Sequence, residues 1–152
     1  MSTITEVHTA LLGRVQTLLP AEYKRLPNPH APFENPDLYL ELGYGIVMGP
    51  ETNTNRYIGS LRSYDFSWTL VLCRRVYTLD PDAAEKADQQ LLLLEDLELI
   101  KADVEKNVAL NDALNNTAYV GHNGIEYVQG QDNYRFIMVR ANLTSSYEVH
   151  TP

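Results

Sequence analysis

Apolar residues near the start of the chain recur at helical spacing: Ile4, Val7, Leu11, Leu12, Val15 and Leu18. Thr3 and Glu6 stand where a capping box would place them, the threonine as N-cap and the glutamate reaching back. Gly13 weakens this helix by about 1 kcal/mol relative to alanine, and Pro20 ends it. Residues 21–37 carry four prolines, Pro27, Pro29, Pro32 and Pro36, a density that predicts extended, irregular chain. Leu38 to Met48 reads as a strand, with Leu38, Leu40 and Leu42 on one face and Tyr39 and Glu41 on the other. The polar run Gly49 to Ser60 is bounded by glycines and exceeds an ordinary hairpin turn, so it reads as a long loop, 49–60. Loops of this kind often carry function, and an idle mobile loop fits the same residues.

Ser63 to Tyr77 is the clearest strand. Tyr64, Phe66, Trp68, Leu70 and Leu72 fall on one face, and Ser63, Asp65, Ser67 and Thr69 on the other until Val71 and Cys73. Asp80-Pro81-Asp82 is a strong helix start, with aspartate as N-cap and proline at the first helical position. The helix should run to about Asn107 and shows two apolar stripes. Ala84, Ala87, Leu91 and Leu94 form one; Leu93, Leu97, Ile100, Val104 and Val108 form the other. A wide core face, or a bend near Leu94 to Leu97, would accommodate both. Leu92 and Leu99 remain, seven residues apart on the opposite side among Glu85, Asp88, Glu95, Asp96 and Asp103. Scattered surface apolars fit them, and so does contact with another subunit.

Asn107 to Asn116 reads as a helix end plus loop. Thr117 to Val120 and Ile125 to Gln129 read as a short hairpin around Gly121-His122-Asn123-Gly124. After a turn at 130–133, Tyr134 to Val149 closes the chain as a long strand. Tyr134, Phe136 and Met138 lie on one face, and Ile137, Val139, Ala141, Leu143, Tyr147 and Val149 on the other. Its first half should be covered on both sides. The expected fold is α+β: one domain, 1–152, with a mainly antiparallel β-sheet and two α-helices packed on it.

Composition narrows the function classes. At 152 residues the length prior is one domain. No apolar run approaches the ~18 residues of a membrane span, and residues 1–12 lack the pattern of a signal peptide. The single cysteine, Cys73, excludes an internal disulfide and a cysteine-based zinc site, and reads as a small structural residue, reduced in a cytoplasmic setting. The chain carries 20 acidic residues against 12 lysines and arginines, net −8, and nine of the acids lie between Asp80 and Lys106. That balance argues against tight nucleic-acid binding, which lysine and arginine supply. The acidic block reads as a solvated helix face or as a surface that avoids a passing polyanion. His8, His30, His122 and His150 show no metal-ligand spacing, and no nucleophile elbow, phosphate loop or dinucleotide fingerprint is present. No catalytic, cofactor or metal set is therefore assigned, and a non-enzymatic protein is expected. Ten tyrosines against three phenylalanines and one tryptophan form a biased aromatic set. Tyrosine is enriched at protein interfaces, which favours an assembly protein, and packing on a sheet with the hydroxyls outward fits too.

The element order resembles the tail terminator (tail-completion) family of long-tailed bacteriophages. The resemblance is carried by Glu6 to Leu19, by Asn35-Pro36-Asp37-Leu38-Tyr39-Leu40, by Tyr64 to Leu72 running into the acidic helix, and by Tyr134 to Ala141. It covers nearly the whole chain as a pattern of elements, without a diagnostic short motif. The chain departs from it in a longer acidic helix and in a C-terminal extension, 141–152. The resemblance implies a structural virion protein, made in the host bacterial cytoplasm. It implies a hexameric ring that caps the tail tube, stops its polymerisation and docks to the head connector, with DNA only in transit through the pore. It assigns no catalytic residue. Contact residues expected on this reading are Asn53, Asn55, Arg56 and Tyr57 in the loop, and Leu92 and Leu99 on the helix.

Overall fold

A computed structural model describes residues 4–26, 28–30, 42–58, 61–76, 83–105, 115–129 and 135–150. The elements run α1 (Ile4–Leu18), β1 (Tyr23–Arg25), β2 (Leu42–Ile58), β3 (Leu61–Val76), α2 (Ala83–Glu105), β4 (Asn115–Gln129) and β5 (Arg135–His150). The strands form one mixed five-stranded sheet in the order β1-β2-β3-β5-β4. β1 runs parallel to β2; the other three neighbouring pairs are antiparallel.

Both helices pack on the same face. Val7, Leu11 and Val15 of α1 follow at four-residue spacing and are buried, and the Leu19 N–H continues the helical pattern by donating to the Val15 carbonyl at 3.0 Å. Leu93, Leu97, Ile100 and Val104 do the same for α2. These two stripes share one core with Tyr44, Ile46, Phe66, Trp68, Leu70, Leu72, Ile137, Val139, Ala141 and Leu143, the inward residues of three strands. Fully burying each leucine stripe residue contributes roughly 1.5–3 kcal/mol. Two ion pairs help orient the helix layer: Arg14 of α1 meets the buried Asp103 at 3.4 Å, and Arg74 of β3 stands 4.0 Å from Asp96. Tyr23 of β1 donates to the same Asp96 carboxylate at 2.7 Å.

The opposite face carries a small second core of Leu26, Val71, Cys73 and Met138, with Val47 packed against it. Pro29 lies so close over Gly45 that a Cβ there would stand 2.6 Å from the proline's own. The chain leaving β1 therefore covers the middle of this face, and the first half of β5 is buried on both sides as its sequence implied.

Several expectations change. The polar run 49–60 is not a loop: residues 49–58 belong to β2, and Leu61 already pairs with Ile58 in β3. Its asparagines and threonines sit in a ladder that is interrupted by register shifts between Met48 and Glu51 and between Asn53 and Tyr57. The hairpin around 121–124 is one continuous strand, β4, paired with β5 along its length. Gly124, at φ +100°, supplies a bulge where the sequence suggested a turn. The C-terminal extension is, over residues 141–150, the second half of β5, paired to β3 from Leu70↔Ala141 to Leu61↔His150. The proline-rich segment contains β1, three residues that the proline density hid. Leu91, assigned to a core stripe, is exposed. At 3.6 residues per turn it lies roughly 160° around the helix from Leu93. Thr3, Leu38 to Glu41, Val108 and the 107–114 segment lie outside the described residues.

Candidate functional site

Two surfaces among the described residues hold the expected contact residues. The first is the outward face of α2. Asp88, Leu91, Leu92, Glu95, Glu98, Leu99 and Ala102 are exposed on it, at spacings of three and four that make a continuous helical stripe. The expected contact residues Leu92 and Leu99 both lie here, clear of the core stripe at Leu93, Leu97 and Ile100. The flanks of the helix are committed to the fold: Asp96 and Asp103 toward β1 and α1, and Lys101 toward β4, where its ammonium sits 4.9 Å over the Tyr119 ring.

The second surface is the distal part of the sheet, where β2, β3 and β5 continue beyond the helices' buried stripes. On the helix side, Tyr147 stacks on Tyr64 at 5.6 Å between ring centroids and meets Phe66 edge-on at 5.7 Å. The Tyr147 hydroxyl donates to the Glu51 carboxylate, and burial, with that bond second, raises its pKa well above the ordinary tyrosine value. On the other side is an open groove of about 490 Å³, lined by Pro50, Thr52, Asp65, Ser67, Thr144 and Ser146. It arises from the register: Thr52, Asp65 and Ser146 stand in one cross-strand row, and Ser67 and Thr144 in the next. The Ser146 hydroxyl donates to Asp65. The groove thus offers hydroxyls and one carboxylate, and its lining holds no cation to attract phosphate.

Of the other expected contact residues, Asn53 is exposed and opposite Tyr64, at the same distal end as the groove. Asn55, Arg56 and Tyr57 follow on β2, with Tyr57 paired to Arg62; their side chains lie outside the described residues. The expected residues therefore fall on two elements, a helix face and a strand ribbon. Glu51, Asp65, Ser146 and Tyr147 were missed. The alternation Ser63-Asp65-Ser67-Thr69 marked one polar face of β3, but Asp65 meets Ser146 across 81 residues of sequence, and Glu51 meets Tyr147 across 96.

Histidine chemistry is local. His122 Nδ1 accepts the Gly124 N–H at 2.9 Å, and the exposed His30 donates its backbone N–H to Asn28 Oδ1, with no imidazole bond among the described residues. His8 has its pKa lowered by partial burial and by the nearby Arg25. Among the described residues, no group of three or more His, Cys, Asp or Glu side chains is placed to hold a metal ion. No helix of the described residues is long and apolar enough to cross a membrane. No model of a known protein family matches the chain, and no curated protein matches it.

Proposed function

We propose that this chain is a structural subunit of a bacteriophage virion, a tail terminator that works by shape rather than chemistry. Several copies, six on the resemblance of the sequence to that family, close into a ring on the head-proximal end of the tail tube. The ring stops tube growth and presents the surface that meets the head connector, and DNA crosses its pore only in transit.

The observation that carries this reading is the outward face of α2. The fold fills its core without Leu92 and Leu99, and leaves both at the surface among carboxylates. Apolar side chains that a domain leaves out of its core, repeated along one helix face, suit a contact between subunits. Ring closure requires heterologous contacts, in which two different patches meet. The acidic balance of the chain also suits a channel through which a polyanion slides.

The test uses purified tail tubes that lack their end ring. Added protein should cap one end of each tube and block further addition of tube subunits, as seen by electron microscopy and by tube length. Tubes that keep growing and stay uncapped, while the protein binds isolated head connectors, would make it a neck adaptor instead.

A further inference from the structure

We infer that the outward face of α2 docks, in a second copy of this chain, against the β1 edge that carries Lys24 and Arg25. This rests on the reading of the protein as a self-assembling subunit and names the two halves of the contact.

The α2 stripe combines apolar and acidic groups. Leu91, Leu92 and Leu99 are 59%, 39% and 42% exposed, with Asp88 and Glu95 exposed between and beside them. A partner must therefore neutralise carboxylates and lay alkyl groups on the leucines, which the stems of lysine and arginine side chains do together. A second α2 stripe is a poor match, because it would bring Asp88 and Glu95 against like charges. The exposed residues of α1 offer no cation: Ile4, Thr5, Glu6, Thr9, Gly13, Gln16 and Thr17. Sheet continuation is also disfavoured. β4 at one edge is interrupted by three register shifts, and β2 carries two shifts and Pro50, features that keep edges from pairing.

The basic complement follows from what the cations already do. Arg14 is held by Asp103, Arg74 by Gln89 and Asp96, Lys101 by Glu98, and Arg140 by Glu126. Arg62 and Arg75 also have partners. Lys24 and Arg25 are exposed, adjacent and on a three-residue edge strand, and neither forms an ion pair with another described residue. Tyr23, beside them, is buried and hydrogen-bonded to Asp96, so the edge is fixed in place. Among the cations whose side chains are described, these two are exposed and held by no ion pair with a described residue, so they are available to the acids of a second copy; the side chains of Arg56, Lys86 and Arg135 lie outside the described residues.

The experiment is sedimentation velocity at a concentration where the wild type assembles. Lys24→Glu/Arg25→Glu and Leu92→Asp/Leu99→Asp should each sediment as monomers with unchanged circular dichroism. Mixed one to one, they should form a dimer through the single intact contact and go no further. Adding Asp88→Lys/Glu95→Lys to the Lys24→Glu/Arg25→Glu background should restore assembly. Assembly of Lys24→Glu/Arg25→Glu at wild-type concentration would overturn the inference while leaving the ring reading intact. A wild type that stays monomeric at every concentration would overturn both.

Discussion

Single buried polar groups decide several local outcomes. Trp68 donates its indole N–H to Ser145 Oγ at 2.9 Å, and Ser145 shares a second bond with Thr117 at 3.0 Å, all within the buried sheet face. Replacing Ser145 with alanine removes the acceptor of the buried Trp68 indole N–H and one of the contacts of Thr117. It should cost about 1–3 kcal/mol in urea unfolding, whereas Thr144→Ala on the open groove should change little. Cys73 is the other diagnostic residue. Burial pushes its thiol up to about 12, against 9.0 for the ordinary group. A raised folded-state value means that the contribution is complete below about pH 9 and is lost as pH climbs toward 12. The native thiol should accordingly resist a thiol-specific reagent at pH 8 and react at the rate of global unfolding. Fast labelling of the folded protein would contradict its burial. The alternation of Ser63 to Tyr77 put Cys73 on the polar face of the strand, and its burial follows from that face turning apolar at Val71, where Leu26 and Met138 cover it.

Elements were legible wherever one face is buried and the period is therefore enforced. β3 and β5 follow their alternation, and α1 and the Leu93-Leu97-Ile100-Val104 stripe of α2 follow theirs. Failures came where local chemistry imitates something else. Gly121 and Gly124 look like hairpin turns, yet they sit in a bulged strand because β5 supplies a partner along the whole length. The run 49–56 looks like a loop because its residues are polar or small, with no apolar alternation to mark a strand. β1 was invisible because Tyr23-Lys24-Arg25 is three residues long and owes its pairing to Leu42, Gly43 and Tyr44. Leu92 and Leu99 were legible from helical spacing, whereas the pairings of Glu51 and Asp65 depend on register between distant strands. The two faces of α2 separate folding from assembly. Leu97→Ala should destabilise the protein by about 2–5 kcal/mol. Leu99→Ala should leave stability within about 0.5 kcal/mol and lower the affinity between copies instead. Equal losses of stability would place Leu99 in the core.

For the whole molecule, a mixed sheet backed by two helices on one side leaves a helix stripe, a basic edge and a hydroxyl-lined distal ribbon facing outward. Such a body can join copies of itself through one region and meet a different partner through another. The proposed function requires that several identical copies surround a central opening. Negative-stain imaging of the purified protein, alone and mixed with tail tubes lacking their end ring, reads this out. Annular particles of uniform size, free or seated on tube ends, are expected. Isolated single-subunit particles in both samples, with bare tube ends, would contradict the proposed function.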